Sequence, residues 1–188
     1  MEFLSYHRDR ADSGALRDAL LEDHWSYMDG YDEQMIARGP TLTDDGEIAT
    51  GSVHILDLPD PVAARAFAFD EPNYQAGVYR DVLLRRWRNT LGRTMWDFAG
   101  GRTGGKRYLV FGFGSGVGEA VDLAPPADAS ELIAYGPLLS DDGAVWLGTA
   151  ALLRAPDPDT ARDILTQGRY ADIEVHNWQF GGRPPAAP

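Results

Sequence analysis

The sequence predicts an α+β fold built from two ferredoxin-like βαββαβ units in tandem. Three observations predict it. A 27-residue segment recurs at a fixed offset. The strand and helix patterns run in the same order in both halves. Each half has hydrophobic residues on a face that one layer of helices cannot cover alone. The recurring segments are GPTLTDDGEIATGSVHILDLPDPVAAR, from Gly39 to Arg65, and GPLLSDDGAVWLGTAALLRAPDPDTAR, from Gly136 to Arg162. They align without a gap at an offset of 97, with 13 of 27 positions identical. Gly39/Gly136, Gly46/Gly143, Gly51/Gly148 and Pro61/Pro158 are among the matches, so turns and helix starts coincide.

The elements run in order. Glu2 to His7 reads as a first strand, rich in Phe, Leu and Tyr. Ser13 can cap a helix, and apolar residues from Leu16 to Ile36 recur near a helical period, predicting one long helix over Leu16 to Arg38, continuous or interrupted near Gly30, stopped by Gly39 and Pro40. Thr41 starts a second strand. Asp44-Asp45-Gly46 supplies a turn whose glycine takes positive φ. Gly51 to Leu58 alternates as a third strand. Pro59-Asp60-Pro61 opens a helix with Asp60 as N-cap and Pro61 as first helical residue, ending near Asp70. Val82 to Arg88 closes the unit. In the second half MEFLSY is matched by KRYLVF and VLLRRW by IEVHNW, which sets Trp87 opposite Trp178. The first helix there shrinks to about two turns, from Ala129 to Tyr135. The domain division is therefore 1–95, a glycine-rich linker 96–105, and a reduced second copy 106–182, followed by a frayed GGRPPAAP tail.

Composition narrows the function. The 188 residues carry a formal net charge of −12, so a phosphate-contacting surface is not expected and nucleic acid is excluded as a partner. The one basic cluster, Arg85, Arg86, Arg88 and Arg93, reads as the solvated side of a strand. There is no cysteine, which removes disulfides and thiolate chemistry. No apolar run reaches the roughly 20 residues that span a bilayer, and MEFLSYHRDR has no secretory pattern, so the expected location is the cytoplasm with no membrane partner.

His24 lies mid-helix in LLEDHWSYMDGY and has no counterpart in the second half; an imidazole can carry protons near neutral pH. Glu71 stands before Pro72, which holds it extended. It can orient an imidazole, and Asp70 is the alternative for the same task. The second half shortens this segment as well as losing His24. Tyr79 and Tyr74 in that segment, and Tyr27 a turn from His24, offer rings and donors for a pocket, and Ser52 is a further candidate for it. His54 sits on a strand and can face the space between the sheets. Neither H-x-x-x-H nor H-E-x-x-H occurs, so no metal is expected. The glycines from Gly112 to Gly118 lack dinucleotide spacing, so no cofactor is expected.

With His24 in a long first helix, Gly39-Pro40, Gly51-Ser52 and EPNYQAGVY from Glu71 to Tyr79, the chain resembles the YciI-like (YCII-related) family. The family implies a dimeric α+β barrel, closed within the chain as a pseudo-dimer or across a homodimer. It also implies a histidine with an acidic partner in a cleft: His24 matches the histidine, and Glu71 stands at the family's Asp-Pro position. Its characterised members look like lyases on small aromatic or lactone-type compounds. The expectation is a cofactor-independent lyase or isomerase with catalytic His24 and Glu71 and a substrate pocket of Tyr27, Ser52, His54 and Tyr79. The alternative is a non-catalytic small-ligand or structural module.

Overall fold

Asp60 and Pro61 begin a helix as the sequence requires: the Asp60 carboxylate accepts from the Ala63 backbone N–H at 2.8 Å, and Pro61 is the first helical residue. Asp157 and Pro158 repeat the arrangement, with Asp157 accepting from Thr160 at 2.7 Å. Gly46 and Gly143 both take positive φ, 80° and 77°, in their turns. The computed structural model describes residues 1–114, 124–165 and 169–183.

The elements are β1 (Glu2–Asp9), α1 (Gly14–Ala19), α2 (Leu21–Asp29), β2 (Met35–Leu42), β3 (Ala49–Asp57), α3 (Pro61–Phe69), α4 (Pro72–Gln75), β4 (Tyr79–Trp87), β5 (Arg107–Phe113), β6 (Leu132–Leu139), β7 (Trp146–Arg154), α5 (Pro158–Arg162) and β8 (Asp172–Trp178). All strand pairings are antiparallel. The order is β1-β3-β2-β8-β5-β7-β6-β4, and β4 returns to β1, closing the sheet.

This corrects the expected architecture. Two ferredoxin-like units packed face to face, or assembled as a dimeric α+β barrel, are not what forms. The halves join edge to edge into one eight-stranded sheet that closes within a single chain. The reason is the edges: two open four-stranded sheets would leave rows of unpaired backbone groups, and fusing them removes those rows. The second half also departs from βαββαβ, because among the described residues no helix separates β5 from β6. Residues 129–135, expected as a helix, are a short turn at 130–131 followed by the first half of β6, whose backbone pairs with β7.

The first half is corrected in the same way. The helical stretch over 16–38 breaks at Leu20 and, at the interruption the sequence offered, at Gly30; a 3-10 turn follows at Asp32–Gln34, and the strand starts at Met35, ahead of Thr41. Met35 and Ile36 fit either period, and pairing with β3 decides between them. Gly39 and Pro40 therefore lie inside β2 and stop no helix.

The two seams are short and alike. At one, Thr41 pairs with Trp178 and Leu42 with Asn177; at the other, Leu138 pairs with Trp87 and Leu139 with Arg86. Thr41 and Leu138 are themselves 97 residues apart. At each seam a buried tryptophan crosses a glycine. A Cβ on Gly39 would stand 2.8 Å from the Trp178 Nε1 and against the Gln179 carbonyl, and one on Gly136 would stand 3.0 Å from the Trp87 ring and against the Arg88 carbonyl.

Inside the sheet, Leu4, Tyr6, Val53, Ile55, Phe111 and Leu152 pack with both tryptophans. Met95, the last residue assigned to the first unit, and Phe98, from the stretch read as a linker, join that interior cluster. Outside, Phe3, Leu56, Met28 and Phe67 pack beneath α2 and α3. Tyr108, Val110, Leu153 and Ala161 pack on the other side with α5. Arg93 leaves the solvated basic cluster to donate to the Leu132 and Ala129 carbonyls, at 2.6 and 3.2 Å. The tail is not frayed as far as Arg183, which pairs with Glu22 and Asp29 at 2.7 Å each. Of the Gly112–Gly118 run, Gly112 and Phe113 end β5, while residues 115–118 lie outside the described residues. Among the described residues no helix is long and apolar enough to cross a membrane.

Candidate functional site

Pro72 holds Glu71 extended, at φ −62° and ψ 132°, as the N-cap of α4. One carboxylate oxygen accepts from the Tyr74 backbone N–H at 2.8 Å. The other is 2.6 Å from His24 Nδ1 on α2. The Glu71 side chain is fully buried, and that of His24 is 12% exposed. Burial pushes the Glu71 carboxyl up, but the hydrogen bond and charge of His24 and the backbone N–H groups of Tyr74 and Asn73 outweigh it. The result lies below the ordinary 4.5. Glu71 is thus a buried carboxylate that takes Nδ1–H from His24 and leaves Nε2 as the other ring nitrogen. Asp70, the alternative, is exposed at the end of α3.

His24 opens onto a cavity of about 360 Å³, lined also by Arg17, Trp25, Arg38, Ser52 and His54. Gln179 to Gly182, beyond the last strand of the second half, complete its wall. Gly181 donates to the Arg38 carbonyl at 3.0 Å and Gln179 to the Pro40 carbonyl at 3.2 Å. The Arg183 guanidinium also lies 5.5 Å from the Trp25 ring centroid.

Of the four residues expected to hold substrate, Ser52 and His54 line this cavity and Tyr27 and Tyr79 do not. The Tyr27 hydroxyl donates to the Ala66 and Phe67 carbonyls, at 3.3 and 3.1 Å, and its ring packs on Phe67. Tyr79 is buried behind the site, 4.7 Å from the His7 ring and hydrogen-bonded by the Asn73 amide at 3.2 Å. His54 faces the helix layer and not the space inside the sheet: its ring is 5.8 Å from that of His24 and 5.5 Å from Phe67. Burial pushes the His54 imidazole well below the ordinary 6.5, and the neighbouring charges of His24, His7, Arg17 and Arg38 push the same way. It is therefore a neutral group.

The sequence reading missed Arg17, Arg38 and Asp9. Arg17 donates to both Asp9 oxygens at 3.0 and 3.2 Å and to the Ser52 hydroxyl at 2.6 Å. Arg17 is the one basic residue in its short helix, and its partner is the last residue of β1; only the fold brings them together. A second histidine–carboxylate contact was also missed: His176 Nε2 lies 3.0 Å from Glu174 on β8, and its ring is 5.4 Å from Tyr6. Among the described residues no three His, Cys, Asp or Glu side chains are grouped to hold a metal.

Asp9 gives a pH prediction. Burial lifts its carboxyl to about 6, against the pull of Arg17 and with the push of the Glu71 charge. Between the ordinary 3.8 and about 6, the folded chain keeps a proton that the unfolded chain has lost. Stability therefore falls as pH rises through that window, by about 3 kcal/mol from this group. The D9N variant should lose this slope, read as urea midpoints between pH 4 and 6.5; an unchanged slope would assign it elsewhere.

Residues 1–88 match the model of the YCII-related domain. A 5-chloro-2-hydroxyhydroquinone dehydrochlorinase from Burkholderia phenoliruptrix, solved with 2,5-dihydroxybenzoquinone, is 26% identical; the match covers 50% of this chain and 99% of that one, with a TM-score of 0.46. A putative monooxygenase from Lactobacillus acidophilus aligns over 96% of both chains at 7% identity and a TM-score of 0.49. A putative monooxygenase from Fusobacterium nucleatum aligns over 95% of this chain and 91% of that one, at 7% identity and a TM-score of 0.50, a likeness of fold alone. No curated protein matches the chain.

Proposed function

We propose that the chain is a cofactor-independent lyase or isomerase acting on a small polar or aromatic compound, with His24 as acid–base residue and Glu71 as its orienting partner. We further propose a tandem origin: a site-bearing copy over 1–95, a connecting stretch 96–105, and a reduced copy over 106–182 that was kept for closing the sheet. The observation that carries the functional reading is the 2.6 Å contact between a fully buried carboxylate and the Nδ1 of an imidazole that borders a cavity. A carboxylate there fixes one tautomer, so the Nε2 lone pair can take a proton from the substrate. The electron pair left behind expels an anion such as chloride, or re-forms a double bond one position along. The proton then passes to solvent in the first case and back to carbon in the second. His54, held neutral, can hydrogen-bond the substrate without competing for the proton.

The test is turnover by wild type and H24N on chlorinated hydroquinones and small lactones, followed as chloride release and as ring absorbance. H24N should lose about a hundredfold to ten-thousandfold in kcat while melting within a few degrees of wild type. Wild-type turnover by a folded H24N would end the assignment.

A further inference from the structure

We propose that the cavity beside His24 is built for a single-ring carboxylate, and that Arg38 is the residue that recognises its charge. This rests on the reading of the cavity as a substrate site. The cavity has two guanidiniums, and they are not equivalent. Arg17 is spent on Asp9 and Ser52, which take up its donors and balance its charge. Arg38 is held differently. Its side chain is 13% exposed, and its ion pair, Nη1 to Asp32 at 3.1 Å, runs to a carboxylate that is itself 58% exposed and therefore well screened by water. Its buried Nε has no hydrogen-bond partner. Gly182 packs closely over the guanidinium and Gly181 over Gly39, and the guanidinium lies 6.0 Å from the Trp96 ring centroid. The rest of the wall gives no counter-charge at depth: His54 is neutral, Glu71 is engaged by His24 and Tyr74, and the remaining acids, Asp18 and Glu47, are exposed at the rim.

A weakly compensated arginine lining a cavity favours an anion there, and a planar carboxylate matches the guanidinium fork. Leu21, Trp25, Met28, Leu42 and Phe180 supply apolar lining for a flat ring. At about 360 Å³ the space lies at the lower end of small-molecule sites, which suits one ring better than two.

The experiment measures binding of benzoate and its neutral isostere benzamide by calorimetry and by amide chemical shifts at pH 7.5. Wild type should bind benzoate at least tenfold tighter than benzamide. R38Q should abolish that preference, R38K should keep part of it, and D32N, which frees the guanidinium, should increase it. H24N should keep the preference, so loss of turnover in H24N alone speaks to the chemistry and not to recognition. Equal affinity for the two probes in wild type, no binding of either at 20 mM (a value of the order expected for weak fragments), or an undiminished preference in folded R38Q would each overturn the proposal. The wild-type and D32N comparisons stand even where R38Q does not fold.

Discussion

Replacing Glu71 by glutamine lowers kcat about a thousandfold while the substrate KM changes little. The argument is one of tautomers. Glu71 has two acceptor oxygens, and both are used: one takes the Tyr74 backbone N–H and the other takes Nδ1–H of His24. A glutamine has one oxygen. Keeping it on Tyr74, the cap that starts α4, turns the amide NH₂ toward His24. Nδ1 must then accept, the ring proton moves to Nε2, and the lone pair that faces the substrate is lost. The E71A variant loses the cap as well, and with the buried imidazole left unpaired it should also cost about 3 kcal/mol of stability. A pH signature separates the roles. Because the Glu71 carboxyl lies below its ordinary 4.5 in the folded chain, its stabilisation is present above pH 4.5 and is lost as pH falls through the lower folded value. Wild type should therefore show a steeper acid limb in urea midpoints than E71Q. Full activity in E71Q, with the acid limb unchanged, would show that the 2.6 Å contact is structural only.

The contact between His24 and Glu71 was legible because the chain marks it locally. Pro72 fixes the backbone of Glu71, and the second half loses His24 and the Glu71 segment together. The rest of the site was not legible because its residues become neighbours only through closure of the sheet. Arg38 and Gly39 were assigned to the end of a helix, since Met35 and Ile36 continue an apolar pattern that either period satisfies; pairing with β3 makes them strand. Gln179 to Gly182 read as tail, yet they wall the cavity because β8 ends beside β2. Tyr27 and Tyr79 failed in the opposite way. Their sequence neighbourhood was right, but one hydroxyl is taken by helix carbonyls and the other by Asn73. The recurring sequence segment falls on strands at equal offsets, β2 to β6 and β3 to β7. What it could not announce was that its two strand sets would share edges and not faces.

Alanine at Gly39 or at Gly136 should cost about 3 kcal/mol, or roughly 10 °C in Tm for a chain of this length, and the two losses should be similar. Each glycine sits where a tryptophan and a backbone carbonyl from the other half cross the strand, and an added Cβ would collide with that carbonyl. A carbonyl fixed in a short seam cannot rotate away as a side-chain tip can, so the strands must part. Each seam has two paired positions, extended by the backbone bonds of Gln179 and Gly181 at one and of Arg88 and Thr90 at the other, and these bonds must give way as the strands part. The consequences for activity should then diverge. Gly39 borders the cavity, next to Arg38 and beneath Gly181, and opening its seam withdraws the 179–182 wall from His24. Gly136 lies at the opposite seam, where Trp87 meets Leu138, and it does not line the cavity. G39A should therefore lose turnover at temperatures where it is still folded, with KM rising more than kcat falls, while G136A keeps wild-type kinetics until it melts. Equal activity losses in the two variants would mean that the second half serves the site through overall stability alone. Unequal stabilities, with G136A near wild type, would remove the claim that the two seams are held by the same device.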